Sequence, residues 1–169
     1  STIKNFVMLG VFDQVRRGNL RYTNRIRNLL ESMIRTSSNS ATNALIRVLG
    51  GPNIANEIIR SRYGFFNETR IVEYIPSGGR TYKNTTSSHD LNIFYNQLWQ
   101  NNLPRAEEMK RVLSLPKRDR LWDSTCIPNG VSQYTKSGTV YGLVADSGVL
   151  VMRDAKNSPH PYAISVMIE

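Results

Sequence analysis

Apolar positions recur at helical spacing from residue 3 to residue 59. Residues 3–17 are apolar almost all round, which is typical of a helix in the middle of a domain. Three amphipathic stripes follow, each with the spacing of one helix face. They are Ile26, Leu29, Leu30, Met33 and Ile34; Ala41, Ala44, Leu45, Val48 and Leu49; and Ile54, Ala55, Ile58 and Ile59. The pattern therefore predicts four helices, separated by glycines and, before the fourth, by Pro52.

Regular spacing is lost between residues 63 and 86, which predicts a long loop, and long ordered loops are often functional. A helix is predicted after Ser87 and a short one after Pro104. From residue 131 the pattern changes to β-strands over residues 131–140, 148–152 and 162–168. Helices followed by an antiparallel meander predict an α/β (α+β) sandwich, and residues 1–169 are expected to form a single domain.

Composition is ordinary for a globular protein, with 40% apolar and 21% charged residues. No apolar run approaches the roughly 18 residues of a membrane span, so no transmembrane segment is predicted in this chain. Cys126 is the single cysteine and the two histidines lie far apart, so we predict no metal site and no cofactor. The net charge of +9 favours anionic surroundings. Because the basic residues form no nucleic-acid motif, no nucleic-acid partner is expected.

Three short motifs lie at the ends of these elements or inside them. Ser1-Thr2-Ile3-Lys4 begins the first helix, Ser37-Ser38-Asn39 follows the second, and Lys136-Ser137-Gly138-Thr139 lies in the first strand. Each has an ordinary explanation when taken alone: chance spacing, a helix cap at Asn39 or Ser40, and an exposed edge strand. In this order, however, they describe a site that acylates its own serine.

The first two motifs supply a nucleophile and its proton carriers. A lysine three residues after a serine shares its helix face, so Lys4 can place its amine beside the Ser1 hydroxyl. Lys4 can accept the serine proton if burial and a neighbouring cation lower its pKa, and Lys136 can be that cation. Ser37 is expected to relay the proton to the leaving group, while the Asn39 amide holds the substrate backbone.

The third motif is assigned to catalysis and to substrate binding. Lys136 offers its charge to a substrate carboxylate, and Gly138 lets another backbone approach closely. Ser137, Gly138 and Thr139 are therefore predicted to bind substrate. The backbone amides of Ser1 and Thr139 are expected to form an oxyanion hole, which requires a residue before Ser1.

These motifs resemble those of the penicillin-recognising serine acyltransferases, the superfamily of D,D-peptidases and serine β-lactamases. Two further landmarks are similar: Thr85-Thr86-Ser87 before a helix and Ile127-Pro128-Asn129-Gly130 before a strand. The resemblance runs over nearly the whole chain. It is closest to the class A β-lactamase branch and to the cyanobacterial-type penicillin-binding proteins beside it. It implies a β-lactamase/transpeptidase-like fold and an acyl-serine intermediate.

Residues 64–84 depart from the class A pattern. In that branch the corresponding loop delivers a glutamate base and a partner asparagine, but no Glu-x-x-x-Asn pattern occurs here. Glu68 and Glu73 are the only carboxylates available as a deacylation base, and different alignments place Ile71, Ile75 or Glu68 at that position. Because losing a positioned general base costs about a hundred- to ten-thousand-fold, we expect a long-lived penicilloyl-serine.

The resemblance implies a serine D,D-peptidase of the D-alanyl-D-alanine carboxypeptidase type, with peptidoglycan stem peptides or β-lactams as its partners. An extracytoplasmic location, in the periplasm or cell envelope, follows from that substrate class. Two alternatives stay open: a class A β-lactamase that hydrolyses β-lactams, and a catalytically silent domain that binds the cell wall or a polyanion. The nucleophile at residue 1 and the final apolar strand also lead us to expect a missing N-terminal helix or strands and a missing C-terminal helix.

Overall fold

The computed structural model of the chain describes residues 1–79, 83–117 and 127–169. Cys126, the single cysteine used in the prediction of no metal site, lies outside these ranges. Helices come first within them and strands last. The helices are α1 (Lys4–Arg16), α2 (Asn24–Arg35), α3 (Asn39–Val48), α4 (Pro52–Arg62), α5 (Ser88–Trp99) and α6 (Ala106–Leu113). The strands are β1 (Ser132–Val140), β2 (Leu143–Arg153) and β3 (Pro159–Ile168). This is the predicted order of helices followed by an antiparallel meander.

Helix α1 lies in the middle of the fold, as its all-round apolar pattern predicts. Every residue from Lys4 to Asp13 is buried, so the helix carries two charged side chains into the interior along with its apolar ones. It ends at Arg16, and Gly18 takes the left-handed conformation (φ 78°) that lets the chain turn away. The nucleophile motif therefore lies at the N-terminal end of the most buried helix.

Hydroxyl side chains begin three of the other helices. Thr23, Ser38 and Ser87 each accept a hydrogen bond from a backbone N–H in the first turn of α2, α3 and α5. The expectation that Asn39 or Ser40 caps α3 is wrong, because Ser38 is the cap and Asn39 is the first helical residue. The Asn39 carboxamide is thereby left for another role.

The sheet has the order β1-β2-β3, and both pairings are antiparallel. Strand β2 is longer than its apolar run predicts, because it begins at Leu143 rather than Gly148. The added residues include Asp146 and Ser147, which are buried although polar, so hydrophobic periodicity could not find them. The register places Lys136 opposite Ser147 and Ser147 opposite Ser165.

Helix α5 packs on the inner face of the sheet and closes the core. Its buried residues Leu91, Phe94 and Leu98 belong to the same apolar cluster as Val149 and Val151 of β2. The other face of β3 leaves apolar side chains exposed, notably Tyr162 and Ile168. In the described ranges, no helix has both the length and the apolar character needed to span a bilayer.

The long loop predicted over residues 63–86 is present between α4 and α5. Its regular structure is limited, among the described residues, to a three-residue 3₁₀ turn at Ser77–Gly79 and one isolated bridge that pairs Arg70 with Thr85. That bridge brings the two arms of the loop together close to α5. The loop is therefore closed at its base while its middle part reaches back towards α3.

Candidate active site

Lys4 is the centre of the candidate site. Its side chain is fully buried, and its Nζ donates to three oxygens: the Ser37 carbonyl at 2.6 Å, Ser37 Oγ at 3.0 Å and Asn39 Oδ1 at 2.9 Å. An ammonium group has three N–H donors, so this arrangement satisfies every one of them. Helix α1 and the turn before α3, which are 33 residues apart in the chain, are joined at this nitrogen.

Burial and a second lysine perturb the pKa of Lys4. Burial, and then the positive charge of Lys136, lower the pKa of Lys4 from 10.5 to about 7. The amines of Lys4 on α1 and Lys136 on β1 therefore share one electropositive region. A lysine half neutral near pH 7 is suited to accept a proton.

The turn that carries Ser37 holds an uncommon backbone conformation. Ser37 has φ 55°, in the left-handed region that costs a non-glycine residue about 1 kcal/mol or more. The carbonyl and the hydroxyl of this residue both accept from Lys4. The charge-assisted bonds from Lys4 offset that strain, so the turn and the buried amine stabilise each other.

Gly138 of β1 packs directly against the nucleophile motif. A Cβ added to Gly138 would lie 3.1 Å from the backbone nitrogens of Ser1 and Thr2 and 3.3 Å from Ser1 Cβ. Only glycine leaves room for this contact without displacing backbone atoms. The third motif therefore meets the first, and Ser1 itself stays partly accessible to solvent.

The residues beside Gly138 alternate between the two faces of β1. Lys136 is buried and its Nζ donates to the Ser137 carbonyl at 2.5 Å, whereas Ser137 is half-buried and Thr139 is exposed. Among the described residues β1 pairs with β2 alone, so its other edge carries no strand there. Ser137 and Thr139 are accordingly placed where a ligand can reach them.

Asn43 ties the long loop to the same region. Its carboxamide forms a double hydrogen bond with the backbone of Ile75: Nδ2 donates to the carbonyl at 2.8 Å, and Oδ1 accepts from the N–H at 2.8 Å. Asn39 and Asn43 are four residues apart on α3 and so share one face about one turn apart. Ile75, which is buried, therefore lies about one helical turn along α3 from the site of Lys4.

The carboxylates predicted as deacylation bases have other surroundings. The Glu68 side chain is exposed at the start of the loop, where its backbone N–H donates to Asp90. The carboxylate of Glu73 accepts from the N–H of Lys83 at 3.3 Å. Ile71 is tied through its N–H to Asn56 of α4 at 2.9 Å. Of the three positions that sequence alignment left open, Ile75 has the closest connection to the Lys4 cluster, and it carries no base.

The described structure thus brings Lys4, Ser37 and Asn39 into direct contact. It also sets Gly138 against Ser1 and places Lys136 close enough to Lys4 to lower its pKa after burial has done so. The sequence argument gave no role to Asn43, although its spacing from Asn39 is the signal that could have found it. In the described ranges, no three His, Cys, Asp or Glu side chains gather into a group that could hold a metal ion.

A serine just before a buried helix, a lysine three residues later and a Lys-Ser-Gly strand on an α/β sandwich are the features of an active-site serine hydrolase fold. The sequence profile of the Beta-lactamase enzyme family matches residues 22–169. The chain therefore belongs to the β-lactamase enzyme family.

Solved structures show the same fold. A mutant of PBP-A, determined as its acyl-enzyme complex with penicillin G, superimposes with a TM-score of 0.82 at 22% identity, covering 99% of this chain and 71% of that one. PBP-A itself gives 0.79 at 23% identity, with 99% and 71% covered. An ancestral class A β-lactamase, GNCA, gives 0.81 at 20% identity, with 99% and 74% covered. No curated protein matches the sequence.

Proposed function

We propose that this protein is a serine D,D-peptidase that acts on the D-alanyl-D-alanine ends of peptidoglycan stem peptides through an acyl-serine intermediate. The family supplies the serine-hydrolase fold, and the buried Lys4 supplies a base whose pKa is lowered to about 7. An extracytoplasmic location belongs to the same proposal, because the substrate lies outside the cytoplasm.

Acylation would begin at neutral Lys4. Lys4 takes the proton of the Ser1 hydroxyl while Ser1 Oγ attacks the penultimate carbonyl carbon of the stem peptide. Negative charge develops on the carbonyl oxygen, which the amides of Ser1 and Thr139 would stabilise.

The C–N bond then breaks, and the leaving D-alanine needs a proton. The Ser37 hydroxyl lies 3.0 Å from Lys4 Nζ, so it can pass the proton from Lys4 to the leaving nitrogen. Asn39 would hold the acyl side, while Lys136, Ser137 and Thr139 would receive the terminal carboxylate. Water hydrolyses the ester in the second half-reaction.

One observation favours this activity over its rival. The acylation groups meet at Lys4, while Asn43 holds an isoleucine, Ile75, at the loop position tied closest to them. A β-lactam acyl-enzyme needs a base aimed at water to deacylate rapidly. The apolar residue at this position favours a persistent penicilloyl-serine, as in a penicillin-binding protein.

The second candidate is a class A β-lactamase, and the structural likeness to GNCA is the observation that favours it. That activity would require Glu68 or Glu73 to activate the deacylating water. A silent domain that binds the cell wall or a polyanion would be indicated by the absence of any acylation, together with salt-dependent binding of an anionic polymer.

A time course with benzylpenicillin, followed by mass spectrometry of the intact protein, tests the proposal. We expect an adduct that maps to Ser1, persists for many minutes and is absent from Ser1→Ala. Rapid return of the free enzyme would instead support the β-lactamase. In the same assay Ile75→Glu should speed deacylation by about a hundredfold, within the range that one positioned base supplies. Ile71→Glu is the matched control: Ile71 is also a buried isoleucine of the loop, but its N–H donates to Asn56 of α4, so this variant should give no such gain.

A further inference from the structure

The long loop is anchored at its start by a single buried carboxylate. Asp90, in the first turn of α5, is fully buried and accepts four hydrogen bonds from three consecutive loop residues. The donors are the N–H groups of Asn67 (3.2 Å), Glu68 (3.0 Å) and Thr69 (2.8 Å), and the hydroxyl of Thr69 (2.7 Å). Charge-assisted bonds of this kind are among the strongest that a backbone can make.

Local helix chemistry alone does not account for this use of Asp90. Ser87 caps α5 by accepting from the Asp90 N–H at 3.1 Å, and an acidic residue three positions after the cap ordinarily returns its side chain to the cap N–H. Here the carboxylate points to the loop instead. The position at the helix N-terminus still favours its negative charge. Asp90 thus serves the loop rather than its own helix.

The anchored segment leads from Asp90 towards the Lys4 cluster. Beyond Thr69 the chain pairs with Thr85 through the Arg70 bridge, and then Ile71 bonds to Asn56 and Ile75 to Asn43. Asp90 fixes the beginning of this path and Asn43 fixes the part beside α3. If the anchor at Asp90 is lost, the hydrogen bonds of Asn43 must hold a longer segment of the loop in place.

The groups assigned to acylation lie outside this loop. Lys4 is on α1, Ser37 and Asn39 flank the start of α3, and Lys136 is on β1. The loop brings an apolar side chain, Ile75, near them but no base. The second arm of the loop, Asn84 to Thr86, lines one cavity together with Ser1. A loop placed there without a base would contribute cover to an acyl-enzyme, and cover that excludes water slows hydrolysis.

We propose that Asp90 is a positioning residue that holds this loop over the acylated serine and so prolongs the life of the acyl-enzyme. The inference rests on the proposed acyl-serine chemistry. Loss of the anchor should admit water to the ester without disturbing the groups that form it. The two half-reactions should consequently respond differently: the acylation rate should stay unchanged and the deacylation rate should rise.

The test compares Asp90→Asn with wild type in the full-length protein, using benzylpenicillin. An asparagine keeps the size of the side chain but has one acceptor oxygen and an amide that faces N–H donors. We expect deacylation to rise about tenfold while the second-order acylation rate stays within about threefold. Thr69→Val, which removes only one of the four bonds, should give a smaller change in the same direction.

Asp13→Asn is the matched control, because Asp13 is also a fully buried carboxylate but lies at the far end of α1. It should lower stability and leave both rates within about threefold. Parallel falls in both rates of Asp90→Asn, or unchanged deacylation, would overturn the proposal. The proposal would also be overturned if Asp13→Asn increased the deacylation rate by the same factor as Asp90→Asn.

Hydrogen exchange without any ligand separates this proposal from the proposed function. The amides of Asn67, Glu68 and Thr69 should exchange faster in Asp90→Asn and not in Asp13→Asn. If wild type forms no penicilloyl adduct but these amides exchange faster in Asp90→Asn, the proposed acyl-serine chemistry is wrong, while Asp90 does anchor the loop. Amides that exchange as in wild type would contradict the anchor itself.

Discussion

The two ends of α1 bury opposite charges in opposite ways. At the N-terminal end Lys4 donates to a carbonyl, a hydroxyl and a carboxamide, all uncharged, and a second lysine lies near enough to lower its pKa. At the C-terminal end Asp13 contacts the guanidinium groups of three arginines and the hydroxyl of Tyr63. These partners are Arg16 at 3.3 Å, Arg17 at 3.2 Å, Arg62 at 3.5 Å and Tyr63 at 3.0 Å.

The difference shows what each end is built for. The charge of Asp13 is compensated, and burial together with that carboxylate raises the pKa of Tyr63. The charge of Lys4 is hydrogen-bonded, but burial and then the charge of Lys136 lower its pKa, so the folded state disfavours its protonated form. A helix that carries a compensated charge at one end gains stability there. The uncompensated charge at the other end lowers stability and leaves an amine half neutral near pH 7, as the proposed base requires.

The largest effect is expected for Lys4→Met. Acylation by benzylpenicillin should fall by about a thousandfold or more, because the amine proposed to take the Ser1 proton is lost. The free energy of unfolding at pH 7 should not fall, because the variant removes a disfavoured buried charge. Stopped-flow acylation and urea unfolding measure the two. A large loss of stability would mean that Lys4 is a structural residue.

The pH dependence of acylation should follow the pKa of Lys4. Below about pH 7 the rate should fall about tenfold per pH unit, because only the neutral amine accepts the proton. A pH-independent rate between pH 5 and pH 8 would remove Lys4 from the role of base.

Stability should respond to the same group. The pKa of Lys4 is about 7 when folded against 10.5 for an unperturbed lysine, so the unfolded chain binds more protons between these values. The stability of wild type relative to Lys4→Met should therefore rise as pH increases from 7 to 10.5. At about 1.4 kcal/mol per pKa unit the total is at most roughly 4 to 5 kcal/mol.

At the other end Asp13→Asn should do the opposite of Lys4→Met. Removing the buried charge leaves Arg17 and Arg62 without their shared partner, so unfolding should become easier by about 2 kcal/mol. Acylation should stay within about threefold, because Lys4 lies about two and a half turns away along α1. A loss of acylation with unchanged stability would contradict the division between the two ends.

The smallest effect is expected for Arg16→Ala. Its side chain is 54% exposed, and Asp13 keeps two other arginines and Tyr63 when it is removed. Unfolding should change by less than about 1 kcal/mol, as is usual for an exposed ion pair. Thermal unfolding at low and high salt would measure it. A larger, salt-independent loss would mean that Asp13 depends on Arg16 more than on Arg17, Arg62 and Tyr63.

Much of the fold was predictable because its core obeys simple periods. The all-round apolar residues 3–17 became the most buried helix, and the late strands became a three-stranded meander. Strand β2 was predicted too short because Asp146 and Ser147 interrupt its apolar run although both are buried. The cap of α3 was misassigned because Ser38, Asn39 and Ser40 are all good capping residues. The hydrogen bond that Lys4 Nζ donates to Asn39 Oδ1, which is a tertiary contact, decides among them.

The site was predictable as a set of residues but not as a geometry. Spacing grouped Ser1 with Lys4, and motif order added Ser37, Asn39 and Lys136; their contacts agree with that grouping, while their catalytic roles stay predictions. No feature of the sequence predicted the left-handed backbone conformation of Ser37. The anchors at Asn43 and Asp90 were also hidden, because each joins segments more than 20 residues apart through backbone groups that any residue carries.

The two hydrogen bonds of the Asn43 side chain involve only main-chain atoms of residue 75. Any side chain that fits the local space can therefore occupy that position while the loop keeps its path. Under the proposed function, a single codon change at this position would alter the lifetime of the acylated enzyme without rebuilding the scaffold. Wall remodelling and antibiotic destruction, the two candidate activities, would then be separated by very few mutational steps.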